Sequence, residues 1–264
     1  MKISAYRNIF LLFTAAFSVL SCTKVIDLDL DGHDQKTVIE AEVGTVLGDN
    51  SVRITKSKAF NSNEPFTPIT DAVVTIKDLT ADMVYSLSVE NGVFSNPDLQ
   101  AMEEHTYELR VYVDGETFTS KSTVPVNVPL INLTQKGSVE DSQFGFADLA
   151  TLTPEYHDPA NYENFYHFVI YKNNSPNENF TVRDDVSYNG LNVNAEIYVE
   201  AVKNDTVTID FQGIDKPAYQ YLFGFSQNVF QTSGTPSNPV SNISNGALGY
   251  FKAHTSNIQT IVIQ

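Results

Sequence analysis

The chain is poor in several features that would each point to a class of protein. It has no tryptophan, one cysteine, and only 16 lysine and arginine residues against 32 aspartate and glutamate residues, for a formal net charge of −16 at pH 7. A single cysteine forms no intrachain disulfide, so the fold must rest on its hydrophobic core. A strongly anionic chain repels nucleic acid, and we therefore expect no nucleic-acid partner.

Catalytic motifs are also missing. The five histidines, at positions 33, 105, 157, 167 and 254, form no His-Glu-x-x-His motif and no helical i, i+4 pair, so the ligands of a zinc hydrolase are lacking. The sequence has no Gly-x-Ser-x-Gly nucleophile motif and no phosphate-binding glycine loop. Glu103-Glu104-His105 and His157-Asp158 place acids beside imidazoles, but neighbouring strand residues face opposite ways. We therefore predict a protein that is not an enzyme and has no metal or cofactor.

The N-terminus has the organisation of a secretory leader. Lys2 and Arg7 precede an apolar run from Ile9 to Leu20, which is followed by Ser21-Cys22. This run is shorter than the about 20 residues that span a bilayer, and it is typical of a signal peptide over residues 1–21. The junction resembles a bacterial lipobox, which predicts that Cys22 is acylated with fatty chains such as palmitate. Residues 22–36 would then form a tether to the membrane lipid.

The tether contains an acidic repeat with two interpretations. Asp27, Asp29, Asp31 and Gly32 match the start of a calcium loop, but Val38 occupies the twelfth position, where a carboxylate is needed. The same alternation is typical of an edge strand with one polar face. We favour the edge strand and predict no metal site.

Residues 37–126 show short alternating segments separated by turn residues. Asn91-Gly92 and Asp114-Gly115 are strong hairpin signals. Six or seven strands at this spacing predict a β-sandwich of immunoglobulin or transthyretin type. The prolines of the segment 124–129 mark a candidate boundary.

Residues 127–264 are predicted to form a second β-rich domain with one amphipathic helix near 215–231. Asp215 can cap this helix, and apolar residues recur along it at helical spacing. Gly246 and Gly249 suggest a close backbone approach, either to a partner or to the preceding helix. The fold class is therefore mainly β.

Two groups of aromatic residues could serve either the core or a binding surface. Exposed tyrosines could stack on sugars or hold a receptor loop, but core packing is the commoner role and the one we favour. The groups are Tyr156, Tyr162, Phe165, Tyr166 and Phe168, and Tyr219, Tyr221, Phe223 and Phe225.

Six segments, taken in order along the chain, carry a family likeness. They are Val25–Leu30, Thr37–Ala41, Ile69–Ile76, Tyr107–Ser120, His157–Tyr166 and Asn238–Phe251. Together they resemble a family of Bacteroidota lipoproteins, the domain of unknown function 4249. The likeness covers nearly the whole mature chain and rests on the order and spacing of these segments.

The resemblance implies a lipoprotein anchored in the outer membrane, on its periplasmic side or at the cell surface, and often encoded beside a TonB-dependent receptor. It supplies no catalytic residues. We therefore expect a non-enzymatic accessory protein of such a receptor that acts in ligand binding or nutrient uptake. An adhesin or structural module of the envelope is the alternative, and a surface hydrolase with an acid pair is a third.

Overall fold

The structure is a computed structural model that describes residues 35–58, 64–137, 149–177, 181–229 and 238–264. The predicted leader 1–21, Cys22, the acidic repeat from Asp27 and His33 lie outside the described residues. So does most of the predicted tether.

The described residues contain eighteen strands and one helix. The first eight strands are β1 (Thr37–Gly44), β2 (Asn50–Lys56), β3 (Val73–Asp78), β4 (Met83–Ser86), β5 (Ser88–Glu90), β6 (Val93–Ser95), β7 (Thr106–Val113) and β8 (Glu116–Thr123). The next eight are β9 (Asn132–Lys136), β10 (Leu149–His157), β11 (Phe165–Lys172), β12 (Ser175–Pro176), β13 (Thr181–Asp184), β14 (Asn192–Asn194), β15 (Ile197–Glu200) and β16 (Thr206–Ile214). The helix α1 (Lys216–Val229) is followed by β17 (Leu248–His254) and β18 (Asn257–Val262).

These strands form three sheets. The largest has ten strands in the order β12-β11-β16-β17-β1-β2-β6-β5, with β13 and β18 paired to β11 and β16. One four-stranded sheet has the order β4-β3-β7-β8, and the other contains β14, β10, β15 and β9. The mainly β fold class and the single amphipathic helix among the described residues are thereby confirmed.

Each small sheet shares a hydrophobic core with the large sheet. Ile39, Val52 and Phe251 of the large sheet lie in one core with Leu109 and Val111 of β7. A second core combines β11 and β16 of the large sheet with β10 and β15 of the other small sheet, and its residues include Phe168, Phe211, Leu152 and Val199. Alternation along each strand sends apolar side chains into these cores. The result is two sandwiches that share one long sheet.

The membership of the two cores can be compared with the domain boundary predicted near residue 126. Residues up to Val124 belong to the first core and residues from Val128 to the second, but Phe251 and Ala253 return to the first. The return is made by β17, which pairs in parallel with β1. The division into domains 37–126 and 127–264 stays a prediction, and the large sheet runs across it.

Gly249 permits the parallel pairing of β17 with β1. A Cβ atom at this position would lie 1.9 Å from the carbonyl oxygen of Ile39, and the residue has φ +99°. Only glycine combines this conformation with so close a backbone approach. The close approach expected from the sequence is therefore made to β1, and the expectation that it is made to the preceding helix is wrong.

The helix is capped as the sequence predicts. The Asp215 carboxylate accepts a hydrogen bond from the Ala218 amide at 3.1 Å, and its other oxygen accepts from the Ser122 hydroxyl at 2.8 Å and the Thr123 amide at 3.1 Å. The cap satisfies a helix amide and also ties the helix to β8. Ala218 and Leu222 then pack on Phe165 and Ile214, on the face of the large sheet opposite the two cores.

Candidate ligand-binding groove

An open groove lies on the helix side of the large sheet. Its volume is about 570 Å³, within the range of roughly 300–1,000 Å³ typical of small-molecule sites. Val38, Glu40, Arg53 and Thr55 form the floor. The walls are Phe66 and Pro68, the turn 91–93, and Phe225 of the helix. We call this site the groove.

The floor follows from the alternation of β1 and β2. Ile39 and Ile54 are buried in the first core, so Glu40 and Arg53, their neighbours along the two strands, face the other way. Glu40 and Arg53 are also register partners across the antiparallel pair. Side chains at such positions start about 4.5–5.5 Å apart at Cβ. The strands therefore present two opposite charges side by side.

The wall beside β2 is formed by a turn packed on a proline. Asn91 and Gly92 have φ values of 51° and 79°, as the predicted hairpin turn requires. A Cβ atom at Gly92 would lie 2.8 Å from the ring of Pro68. The same loop is held to β2 by the hydrogen bond from the Ile69 amide to the Ile54 carbonyl, 2.8 Å long. This contact fixes the walls relative to the floor.

Two phenylalanines of the groove are exposed to solvent. Phe66 is 63% exposed and Phe225 is 43% exposed. The Lys58 ammonium lies 4.1 Å from the centre of the Phe66 ring, a cation–π contact. The groove therefore combines accessible aromatic surface with charge. Sequence analysis singled out Phe225 as one of an aromatic group, but it did not find Phe66, Glu40 or Arg53.

A buried polar cluster lies on the same face of the large sheet. Lys252 has a side chain only 1% exposed, and its Nζ lies 3.0 Å from Glu42 Oε2 and donates to Gln212 Oε1 at 2.7 Å. His167 Nδ1 is 3.5 Å from the same Nζ. The Gln212 amide in turn donates to Asp210 Oδ2 at 2.6 Å. A buried ammonium is tolerated because these groups surround it.

The charged groups of this cluster, together with burial, shift the pKa values of their neighbours. The Lys252 ammonium lowers the pKa of the Glu42 carboxyl to about 2. Burial lowers the pKa of His167 well below its usual value, and the Lys252 charge adds to this effect. Burial lowers the pKa of His254 as well, so the folded protein favours the neutral form of both histidines in the cluster, His167 and His254.

His254 is positioned by its other ring nitrogen. Nδ1 lies 3.1 Å from the Thr255 carbonyl oxygen, to which it donates. Nε2 is buried, has no hydrogen-bond partner among the described residues, and lies 3.8 Å from Asp49 Oδ2. Burial raises the pKa of Asp49. Lys252, His167 and His254 are thus each less than 10% exposed, whereas the Glu42 and Asp49 side chains are partly exposed.

His105 and His157 lie outside this polar cluster. His105 Nδ1 lies 2.7 Å from Asp78 Oδ2, and His157 Nδ1 lies 2.9 Å from Asn192 Oδ1. Exposed His157 and buried Asp158 face opposite ways, and Asp158 accepts hydrogen bonds from the Tyr166 hydroxyl and, at 3.2 Å, from the Gly190 amide. Within the part of the chain that the structure describes, no group of three or more acidic, histidine or cysteine side chains is arranged to hold a metal ion.

The two aromatic groups divide between core and surface. Four of the first group are buried as favoured from the sequence, and Tyr162 is 55% exposed. In the second group, Tyr219 contacts Phe165 and Tyr221 contacts Tyr250, with ring centres 4.8 and 5.1 Å apart. Phe223 and Phe225 are exposed. The buried residues of the first group are Tyr156, Phe165, Tyr166 and Phe168.

The fold and the groove define a mainly β protein with an accessible cleft on one sheet face. The model of a family described as a domain of unknown function (DUF4249) matches residues 23–260. Because this match covers most of the sequence, the chain belongs to that family. No helix among the described residues is long and apolar enough to cross a membrane.

Comparisons with curated proteins and solved structures add little. No curated protein matches the chain. Among solved structures, a chain of a cytokine receptor complex is similar over 86% of this chain and 95% of that chain, with 10% sequence identity and a TM-score of 0.24. A likeness at this score carries no argument about fold or function.

Proposed function

We propose that the chain is a non-enzymatic, lipid-anchored protein of the outer membrane that binds a ligand for a TonB-dependent receptor. The anchor is Cys22, acylated after removal of residues 1–21. Support for the anchor comes from the basic start, the short apolar run and the Ser21-Cys22 junction. Two or more fatty chains on one cysteine hold a protein stably, since a single chain is marginal.

The groove is the observation that carries the binding function. Its charged and aromatic side chains face solvent, whereas nine other aromatic side chains of the described residues are buried. A cleft of this size with a few polar groups is the usual form of a small-ligand site. The accessory role follows from the resemblance to lipoproteins that are encoded beside such receptors.

The position of the titratable groups supports a role other than catalysis. Lys252, His167 and His254 form a group that resembles catalytic machinery in composition, but each is less than 10% exposed. Among the described residues that line the accessible groove there is neither a histidine nor a cysteine. Binding without turnover is the function that this separation favours.

The proposal is tested by purifying the tagged protein from its native envelope and identifying what accompanies it. We expect a TonB-dependent receptor to co-purify with wild-type protein, and mass spectrometry to find fatty chains on Cys22. The C22S variant should lose the membrane fraction and the receptor together. A bare thiol, or a purified membrane protein with no receptor, would overturn the accessory role and favour an adhesin or structural module.

A further inference from the structure

The two charged residues on the groove floor make no hydrogen bond or ion pair within the described part of the chain. Neither the Glu40 carboxylate nor the Arg53 guanidinium makes a hydrogen bond or ion pair with any residue that the structure describes, although the two are register partners. Both side chains are exposed. Elsewhere the same sheet pairs its charges directly, as Glu42 and Lys252 show at 3.0 Å. The floor therefore offers one anion and one cation to a ligand.

The groove is also less acidic than the chain that contains it. Of the described lining residues, two are charged and their charges cancel, and Lys58 lies at the edge over the Phe66 ring. The whole chain has a formal net charge of −16. A ligand carboxylate that approaches most of this protein would be repelled, but at Arg53 it meets a guanidinium suited to paired hydrogen bonds. The groove is thus a place where an anionic group can bind.

We propose that the groove binds a small zwitterion, an α-amino acid or short peptide with an apolar side chain. This inference rests on the proposed ligand-binding function. The ligand carboxylate binds Arg53, and its ammonium binds Glu40. The apolar side chain packs against Phe66 and Phe225, where aromatic rings offer contact area at low entropic cost.

The arrangement discriminates against other ligands. A ligand with one charge satisfies one floor residue and leaves the other with water alone. A neutral sugar can stack on Phe66 and Phe225 but gains nothing from the opposed charges. In a free amino acid the ammonium and carboxylate are attached to one carbon, which matches two groups on adjacent strand positions.

The absence of tryptophan allows a direct test. Because the chain has no tryptophan, the fluorescence of L-tryptophan or of a tryptophan dipeptide reports binding without a protein indole signal. The full-length chain is titrated against L-tryptophan, the dipeptide Gly-Trp, indole-3-propionate, tryptamine and N-acetyl-tryptophanamide. These probes carry both charges on one carbon, both charges further apart, the anion alone, the cation alone and no charge.

We expect the zwitterions to bind at least about tenfold more tightly than the neutral amide, since hydrogen bonds to charged groups are the strong ones. The R53Q variant should lose the preference for a carboxylate, and E40Q should lose the preference for an ammonium. The double variant E40R/R53E restores both charges in swapped positions and should recover zwitterion binding. The matched controls are R110Q and E200Q, on exposed strand positions outside the groove, which should bind as wild type does.

The ratio of L-tryptophan to Gly-Trp affinity separates a free amino acid from a peptide as the source of the head group. Equal affinity for the neutral amide, or binding unchanged in both E40Q and R53Q, would overturn the proposal. Binding of a neutral oligosaccharide that is lost in F66A would overturn the ligand class and leave the proposed function standing. If R53Q loses zwitterion binding but a receptor still co-purifies with it as with wild type, both proposals stand, and receptor association does not depend on Arg53.

Discussion

Glu42 and Lys252 are opposite one another on the parallel strands β1 and β17, with 3.0 Å between Oε2 and Nζ. The pair is asymmetric in its exposure, because the Lys252 side chain is 1% exposed and the Glu42 side chain 33%. Water can solvate the carboxylate when its partner is removed, but it cannot reach the ammonium. The two ends of the pair should therefore respond differently to substitution.

This asymmetry gives a first prediction. The E42Q variant leaves a buried ammonium without its counter-charge and should lower the free energy of unfolding by about 3 kcal/mol. The K252M variant removes the buried charge and leaves a carboxylate that water reaches, so it should cost less. Urea denaturation of both variants and of E42Q/K252M measures the difference. A larger loss in K252M than in E42Q would contradict the inferred asymmetry.

The pH dependence of stability should reflect His167. Its pKa is lowered by burial in the folded state, while the unfolded chain takes up a proton near the ordinary value of about 6.5. Below that pH the unfolded state binds more protons, so stability falls as the pH falls, by up to about 1.4 kcal/mol per pH unit for one group. The contribution of His167 to stability is fully present above about pH 6.5.

The H167Q variant is the control for this pH effect. Burial raises the pKa of Asp49, so this carboxyl changes stability with pH in the opposite direction. The pH profiles of wild type and H167Q are therefore compared, rather than their absolute stabilities. Urea midpoints between pH 8 and pH 5 should fall more steeply in wild type than in H167Q. Parallel profiles would show that folding does not lower the pKa of His167.

Gly249 should be intolerant of any side chain. In G249A the new methyl group would lie 1.9 Å from the Ile39 carbonyl oxygen, so β1 and β17 must separate. We expect a loss of several kcal/mol, or a chain that does not fold. G246A is the matched control, because that glycine also has a positive φ but nothing within 4 Å of a Cβ atom. It should cost about 1 kcal/mol. Equal stability of the two variants, by thermal unfolding, would contradict the predicted pairing.

Asp215 should act through the geometry of its oxygens rather than through its charge. Burial raises the pKa of this carboxyl, so the folded site stabilises the charged form less well than water does. The D215N variant keeps an oxygen for the Ala218 amide and should cost less than D215A, for which we expect about 1–2 kcal/mol. Urea unfolding of the pair measures this. A D215N variant as unstable as D215A would show that the charge is required.

The sequence predicts well those parts of the fold that depend on local pattern. The turn residues Asn91-Gly92 and Asp114-Gly115 lie between β5 and β6 and between β7 and β8 as predicted, and the spacing of apolar side chains identifies α1. The sequence does not predict which strands pair. The two-residue period of a strand shows which face of the sheet a residue occupies, but not which strand lies beside it. The parallel pairing of β1 with β17 could not be read from the chain.

The groove was missed for the same reason. Glu40 and Arg53 are ordinary outward positions in a strand pattern, and outward charges usually face only water. Their importance arises from Phe66, the turn at Asn91 and Phe225, which are brought to the same place by tertiary structure. The groove aromatics are the part of this site that a sequence can indicate. Phe225 belongs to the aromatic group of the helix, whereas Phe66 belongs to neither aromatic group.

The pairing of β1 with β17 also affects how the protein folds. Among the described strands, the first, β1, pairs with one of the last, β17, so the large sheet has a high contact order and should fold slowly. Until β17 arrives, β1 presents a free edge that can join other chains. A protein truncated before Leu248 should therefore aggregate.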